Sequence, residues 1–454
     1  MNPTGSPTQA LARWVVDSQW QEIDDGARAA ARRSWLNWFG CALGGASDPA
    51  LDRLVLALRG MGCSGTSAVI GRRERTDPAS AALLHAFASN ILDYDDTHWA
   101  TAIHPAGPVA SALVAWSSLQ PLNAQTLLHA FLLGMEAQCR IGLAVSPGHY
   151  EKGWHITATC GVFGAALAVS RAMQLDAQQT AWAIGHAATQ SSGLVASLGT
   201  QAKSLNIACA ARNGLVAAQL ARHGITANDR ALEARFGFGD VMGPQPLTQA
   251  LCADLGSDWQ AARNTPKPYP CGFLLHPALD ACLASDAAAG GTALPHAREI
   301  DRITLRVSPL AAARADRQDP ADGIAAKLSL QHAVAVALLH GDAGVSRFTD
   351  QAAADPQAGA LRAKVRVVSD PSLPQEHVRL QVHLRDGSQV IRRQPEAGPC
   401  GSAPMSDAAL ERKFRELVAF GSPHCDADRL LRALTGFAEG EDANALIAMT
   451  LPGP

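Results

Sequence analysis

From residue 7 to about 260, apolar positions recur every three or four residues, the period of a helix with one buried face. Val15, Val16, Trp20 and Ile23 begin the pattern, and ASAALLHAFASNILDY (79–94) continues it. In ITATCGVFGAALAVSRAMQL (156–175), Gly161, Gly164, Ala165 and Ala168 form a small-residue face that lets helices approach closely. Asp176, with Gln179 three positions on, is a capping-box pair that starts the next helix. Gly224 in ARHGITAND marks a helix stop.

The pattern changes near residue 266. TPKPYPCG (265–272) is too proline-rich to be helical throughout. A helix is expected from His276 onward. REIDRITLRVSP then alternates: Ile303, Leu305 and Val307 face one way, Arg302, Thr304 and Arg306 the other, as in a half-buried strand. KLSLQHAVAVALLHG (327–341) predicts a helix ending at Gly341. AKVRVVS, HVRLQVHL and SQVIRR predict three more strands, the last two joined as a hairpin through RDG. SDAALERKFRELVAF returns to helix with Ser406 as N-cap. The expected fold is mainly α. A large helical domain is built from both chain ends (1–265 and 396–454), and a smaller α+β lid occupies 266–395.

Composition narrows the class. The 454 residues suffice for two domains, and 47% hydrophobic with 5% aromatic residues leaves most packing to small aliphatic side chains, which favours helices. Net charge is -3 and no Lys/Arg block occurs, so nucleic acid and anionic membranes are poor partners. The ten cysteines form no CxxC pair and fit reduced, buried positions in a cytoplasmic protein. The N-terminus lacks a basic-then-apolar signal pattern. The uncharged run 177–202 is long enough for a membrane span, but Gln, His, Ser and Thr interrupt it throughout, which predicts buried helix with a polar turn.

Four stretches carry candidate chemistry. NILDYDDTHWATAIHPAG (90–107) packs Asp93, Asp95, Asp96, His98 and His104 together in a chain only 17% charged. Between two apolar stretches such a cluster lies partly inside. Buried carboxylates need partners, and an Asp–His pair can hold an imidazole in one tautomer as acid or base. A solvated helix end or a metal site are the other readings, the latter weakened by the absence of HExxH. In GWHITATCG (153–161), His155 precedes a helix start, where backbone N–H groups favour anions. In TQAKSLNIACAARNG (200–214), Lys203 can reach solvent or neutralise a substrate carboxylate. In KPYPCGFLLHPALDA (267–281), Lys267, Tyr269, Cys271 and His276 sit where the domains join; Cys271 fits a structural role better than a nucleophilic one. Nucleotide-binding glycine motifs and a GxSxG elbow are missing, which removes support for nucleotide chemistry and serine hydrolysis.

In this order and spacing, the four stretches resemble the MmgE/PrpD family over nearly the whole chain. The family includes 2-methylcitrate dehydratase, cis-aconitate decarboxylase and iminodisuccinate epimerase. The resemblance implies a helical domain plus an α+β lid with the site in the cleft, a homodimer, and action on small di- or tricarboxylates without metal or organic cofactor. It points to Asp93, Thr97, His104, His155, Lys203 and Lys267. With the domain-junction residues Tyr269 and His276 added, His104, His155, Asp93 and Lys203 are the expected catalytic residues, and Thr97, Lys267, Tyr269 and His276 the expected substrate-binding residues. Two positions depart from the family pattern. Asn206 stands where many members have His, and Gly272 where the decarboxylase has a His after the lysine. The implied activity is a dehydratase-type lyase, with epimerase, decarboxylase or a non-catalytic carboxylate binder as alternatives.

Overall fold

The computed structural model describes residues 6–244, 247–284, 295–393, 405–437 and 442–453. The chain is mainly helical with a small sheet in its C-terminal part. It divides into two compact units. One comprises the chain up to Ile91, Asp95–Pro266 and the chain from Asp407 onward; the other comprises Leu92–Tyr94 and Lys267–Ser406. The expected lid boundary at 395 lies outside the described residues.

The centre of the helical unit is the helix Ile156–Ala172, buried along nearly its whole length. It packs against Ala124–Val145 and Ala202–Arg222, and Pro78–Ile91 packs on the latter. The small-residue face is what allows this. A Cβ added to Gly164 would lie 2.8 Å from the Gly134 carbonyl oxygen, and one on Gly134 would lie 2.6 Å from that of Gly164. The two backbones therefore touch, and a methyl group at either position would have to push a helix away. The helix Asp407–Gly421 packs on Asp25–Gly44, so both chain ends build this unit.

Local signals translate directly into helix ends. The Asp176 carboxylate accepts from the Gln179 N–H at 2.8 Å, and Gln179 Oε1 accepts from the Asp176 N–H at 3.3 Å. Gly224 has φ +78° just past the helix Ala202–Arg222, a left-handed stop. Two expectations are corrected. The N-terminal periodicity runs through a break: the helix Pro7–Asp17 ends where Ser18 turns to extended geometry, and Trp20–Glu22 is a separate 3-10 turn. Trp20 is still buried, against His129, so a spacing of three to five residues survives a change of element. In the uncharged run, helix Ala177–Thr189 gives way to an irregular, partly exposed stretch with Leu194 at the surface before the next helix starts at Ala202. No helix among the described residues is long and apolar enough to cross a membrane.

The second unit carries a four-stranded sheet in the order Val365–Ser369, Ile300–Val307, Arg379–Leu384, Gln389–Arg393. The first pair is parallel, the others antiparallel. Ile303, Leu305 and Val307 are buried, as their alternation requires, and join Leu330, Val334 and Leu380 in one core. The hairpin turn places Gly387 at φ +87°, which favours glycine there. Helix Leu330–His340 ends at Gly341 in the left-handed region.

Candidate active site

Helix Pro78–Ile91 delivers the chain to the acidic segment, and Asp93 turns it with φ +55°, a conformation short polar side chains tolerate. Asp96–His98 then forms a short strand paired with Asn264–Pro266, with Thr97 opposite Thr265. Asp95, Asp96, Thr97, His98 and His104 are all buried. A segment this polar is enclosed because each of these residues is given at least one partner.

His104 is the focus of the helical unit's cluster. Its Nδ1 lies 2.8 Å from the main-chain oxygen of Asp96 and 3.1 Å from Thr97 Oγ1. A carbonyl oxygen only accepts, so Nδ1 carries the proton, and when the ring is neutral its lone pair is on Nε2. The His104 N–H donates to Thr157 Oγ1 at 3.1 Å, tying the segment to the first turn of the helix that His155 opens. Asn90 Nδ2 donates to Asp95 Oδ2 at 2.7 Å, and Ser204 Oγ donates to Asn90 Oδ1 at 2.9 Å. Ser204 follows Lys203 in the first turn of Ala202–Arg222. Two helix starts, one with a histidine and one with a lysine, are thus laced to the acidic segment.

Asp96 accepts from Asn264 Nδ2 at 2.5 Å and from the Ala106 N–H at 3.3 Å. Burial, with the charge of Asp95 beside it, pushes its carboxyl up to about 7. His98 is held by Thr101 Oγ1 at 2.8 Å, and burial lowers its ring to about 4, so it is a neutral framework residue.

The second unit holds the other candidates. Lys267 is 1% exposed; its Nζ donates to Asp93 Oδ1 at 2.5 Å and to the Asp93 carbonyl at 3.2 Å. Tyr269 Oη donates to Asp280 Oδ1 at 2.9 Å, and its ring meets His276 edge-on. His276 is fully buried with Nε2 3.2 Å from the Cys271 carbonyl, so it braces the proline-rich segment. Burial raises the Cys271 thiol well above its usual value, which suits the structural role expected for it.

The structure therefore brings Thr97 and His104 together in the helical unit, ties the His155 helix start to His104 and the Lys203 helix start to Asp95 through Asn90, and pairs Asp93 with Lys267 in the second. Sequence reasoning did not single out Asn90, Thr157, Ser204 or Asn264. They are small neutral polar residues in apolar helices or turns, and their partners lie 53 to 168 positions away. The one local signal was Asn90, five residues before Asp95 at the end of a helix.

Comparison with known proteins identifies the family. The MmgE/PrpD N-terminal domain matches residues 9–250 and the MmgE/PrpD C-terminal domain matches residues 269–435. The chain is 26% identical to the cis-aconitate decarboxylase of Mus musculus, over 99% of this chain and 94% of that protein. It is 28% identical to the cis-aconitate decarboxylase of Homo sapiens, over 84% and 80% respectively. It is 27% identical to the 2-methylcitrate dehydratase of Cupriavidus necator, over 82% and 79%. With its two domain matches in order along the chain, the protein belongs to the MmgE/PrpD family.

Proposed function

We propose that this protein is a cofactor-independent carbon–oxygen lyase that abstracts a proton next to a carboxylate of a small di- or tricarboxylate. The observation that carries the reading is His104: a buried imidazole whose Nδ1 proton is committed to the Asp96 carbonyl, leaving Nε2 as the basic atom. In the proposed reaction, Nε2 takes the proton from carbon. The electron pair of that bond forms the new double bond, and the neighbouring hydroxyl leaves as water after accepting a proton from a second acid, for which His155 is the candidate. Charge develops on the carboxylate as the C–H bond breaks, and Lys203 is the fixed cation proposed to stabilise it. Thr97 holds the ring.

A decarboxylase is the second reading, favoured by the similarity to the mouse and human cis-aconitate decarboxylases. Gly272 weighs against the decarboxylase and leaves the dehydratase and epimerase both open. Its N–H donates to the Lys327 carbonyl at 2.9 Å, and an added Cβ would lie 3.1 Å from Leu328 Cδ2. The position thus has no imidazole to offer, whereas the family resemblance gives the decarboxylase a histidine there; the backbone, at φ -59°, is one that any residue adopts.

The test is proton NMR in D₂O with citrate, 2-methylcitrate, cis-aconitate and iminodisuccinate. Deuterium entering next to a carboxylate, with water lost or added, is the expected result. Carbon dioxide release would make the chain a decarboxylase, and inversion without elimination an epimerase. H104Q should lower turnover by about 10²–10⁴-fold. Binding without exchange or turnover for every compound would overturn the lyase reading in favour of a carboxylate binder.

A further inference from the structure

Asp95 is 1% exposed, and its two oxygens are treated differently. Oδ2 is gripped by Asn90 Nδ2 at 2.7 Å. The orientation of that amide follows from its partners: a carboxylate accepts only, so the nitrogen faces Asp95, and the Asn90 oxygen takes the Ser204 hydroxyl at 2.9 Å. Oδ1 is buried and has no hydrogen-bond partner among the described residues. It lies 4.0 Å from His104 Nδ1. A buried carboxylate oxygen without a protein donor is costly, so folding holds it there against its preference. The neutral ring already spends its Nδ1 proton on the Asp96 carbonyl, and Asp95 adds no hydrogen bond to that state.

The difference appears when the ring becomes charged. A proton accepted at Nε2 forms an N–H bond there, while the electron pair of the broken C–H bond stays with the substrate. The Nδ1–H bond is unchanged, and the positive charge spreads over both nitrogens. Asp95 then faces an imidazolium at 4.0 Å and takes up no proton itself. We propose that Asp95, clamped by Asn90 and Ser204, is a positioning residue that stabilises the imidazolium form of His104 during proton transfer. The clamp also sets the carboxylate relative to the helix start that bears Lys203. This inference rests on His104 acting as the base.

Other charged groups bear on the same ring. Asp96 lies beside it, with Lys413 acting on Asp96 from the C-terminal helix; His155 and Lys203 stand at the two helix starts tied to the segment. Neutralising Asp95 also makes Asp96 easier to ionise, so the readout must report the ring alone. That readout is the long-range ¹H–¹⁵N spectrum of the imidazoles in the full chain, with His104 assigned by its loss in H104Q. In D95N the titration midpoint of His104 should fall by about one unit or more, with the Nδ1–H tautomer kept. D95E, which keeps the charge, should restore most of the shift. With the substrate identified in D₂O, kcat of D95N should fall about tenfold or more, with KM changed less than about twofold. A folded D95N whose His104 midpoint is unmoved would overturn the proposal. If D95N does not fold, D95S, neutral and smaller, takes its place, and an unmoved midpoint there overturns the proposal equally. A shifted midpoint in a protein that turns over no polycarboxylate would count against the lyase reading while leaving the Asp95–His104 coupling standing.

Discussion

Two polar segments, one in each unit, treat their charges in opposite ways. In the second unit, each group of the 267–280 stretch is closed off by a partner: Lys267 by Asp93, Tyr269 by Asp280, His276 by the Cys271 carbonyl. In the helical unit, residues 95–104 form a network in which the neutral residues Asn90, Thr97, Thr157 and Asn264 do the holding. There two carboxylates stand side by side, and one of them is pushed up to about 7. Closed ion pairs fix charge in place. Neutral clamps leave the charge of carboxylates and imidazole able to change, which is what proton transfer requires. The comparison separates a segment suited to fixing charge from one suited to moving a proton.

The largest test of this contrast is Lys267→Met. It leaves Asp93 in a mostly buried position without its counter-charge, and should cost about 3–5 kcal/mol of stability by denaturant titration. The double variant D93N/K267M, in which Asn keeps a side chain suited to φ +55° at position 93, should recover most of that loss, because removing both charges leaves none uncompensated. A cost below about 1 kcal/mol for K267M would mean the pair is screened like a surface bridge, and the contrast would fail.

Next is Asp96→Asn, read against pH. The folded carboxyl titrates at about 7, above its ordinary 3.8, so folding takes up a proton between those values. The parent's contribution from this group is fully present below about 3.8 and is lost as the pH rises through about 7. D96N has no such slope, so its Tm relative to the parent should climb from pH 5 to pH 8 in calorimetry. A difference independent of pH would show that Asp96 is ionised throughout, and the helical segment would then resemble its counterpart. The smallest effect is expected from Tyr269→Phe, which removes one hydrogen bond to a half-buried carboxylate and should cost about 0.5–1.5 kcal/mol in the same titration.

Much of the architecture was legible along the chain because its causes are local. The helix period, the alternation of Ile303, Leu305 and Val307, the Asp176–Gln179 box and the glycine at 341 each act within a few residues of themselves. The helix break at Ser18 was not legible, because Trp20 and Ile23 stay buried whether or not the helix continues. For the site, the sequence pointed to charged and imidazole residues, since these are costly to bury and stand out in an apolar chain.

By itself, then, the sequence determined a mainly helical chain with an α+β part, a dense acidic segment and, through its spaced motifs, the family. Only the tertiary structure decided which tautomer His104 adopts, that Lys267 spends its charge on Asp93, and that Asn90 and Ser204 clamp Asp95. The physical reason is range. Periodicity and capping are written within one turn or one strand, whereas a hydrogen bond between Ser204 and Asn90 joins residues 114 positions apart and leaves no mark near either of them.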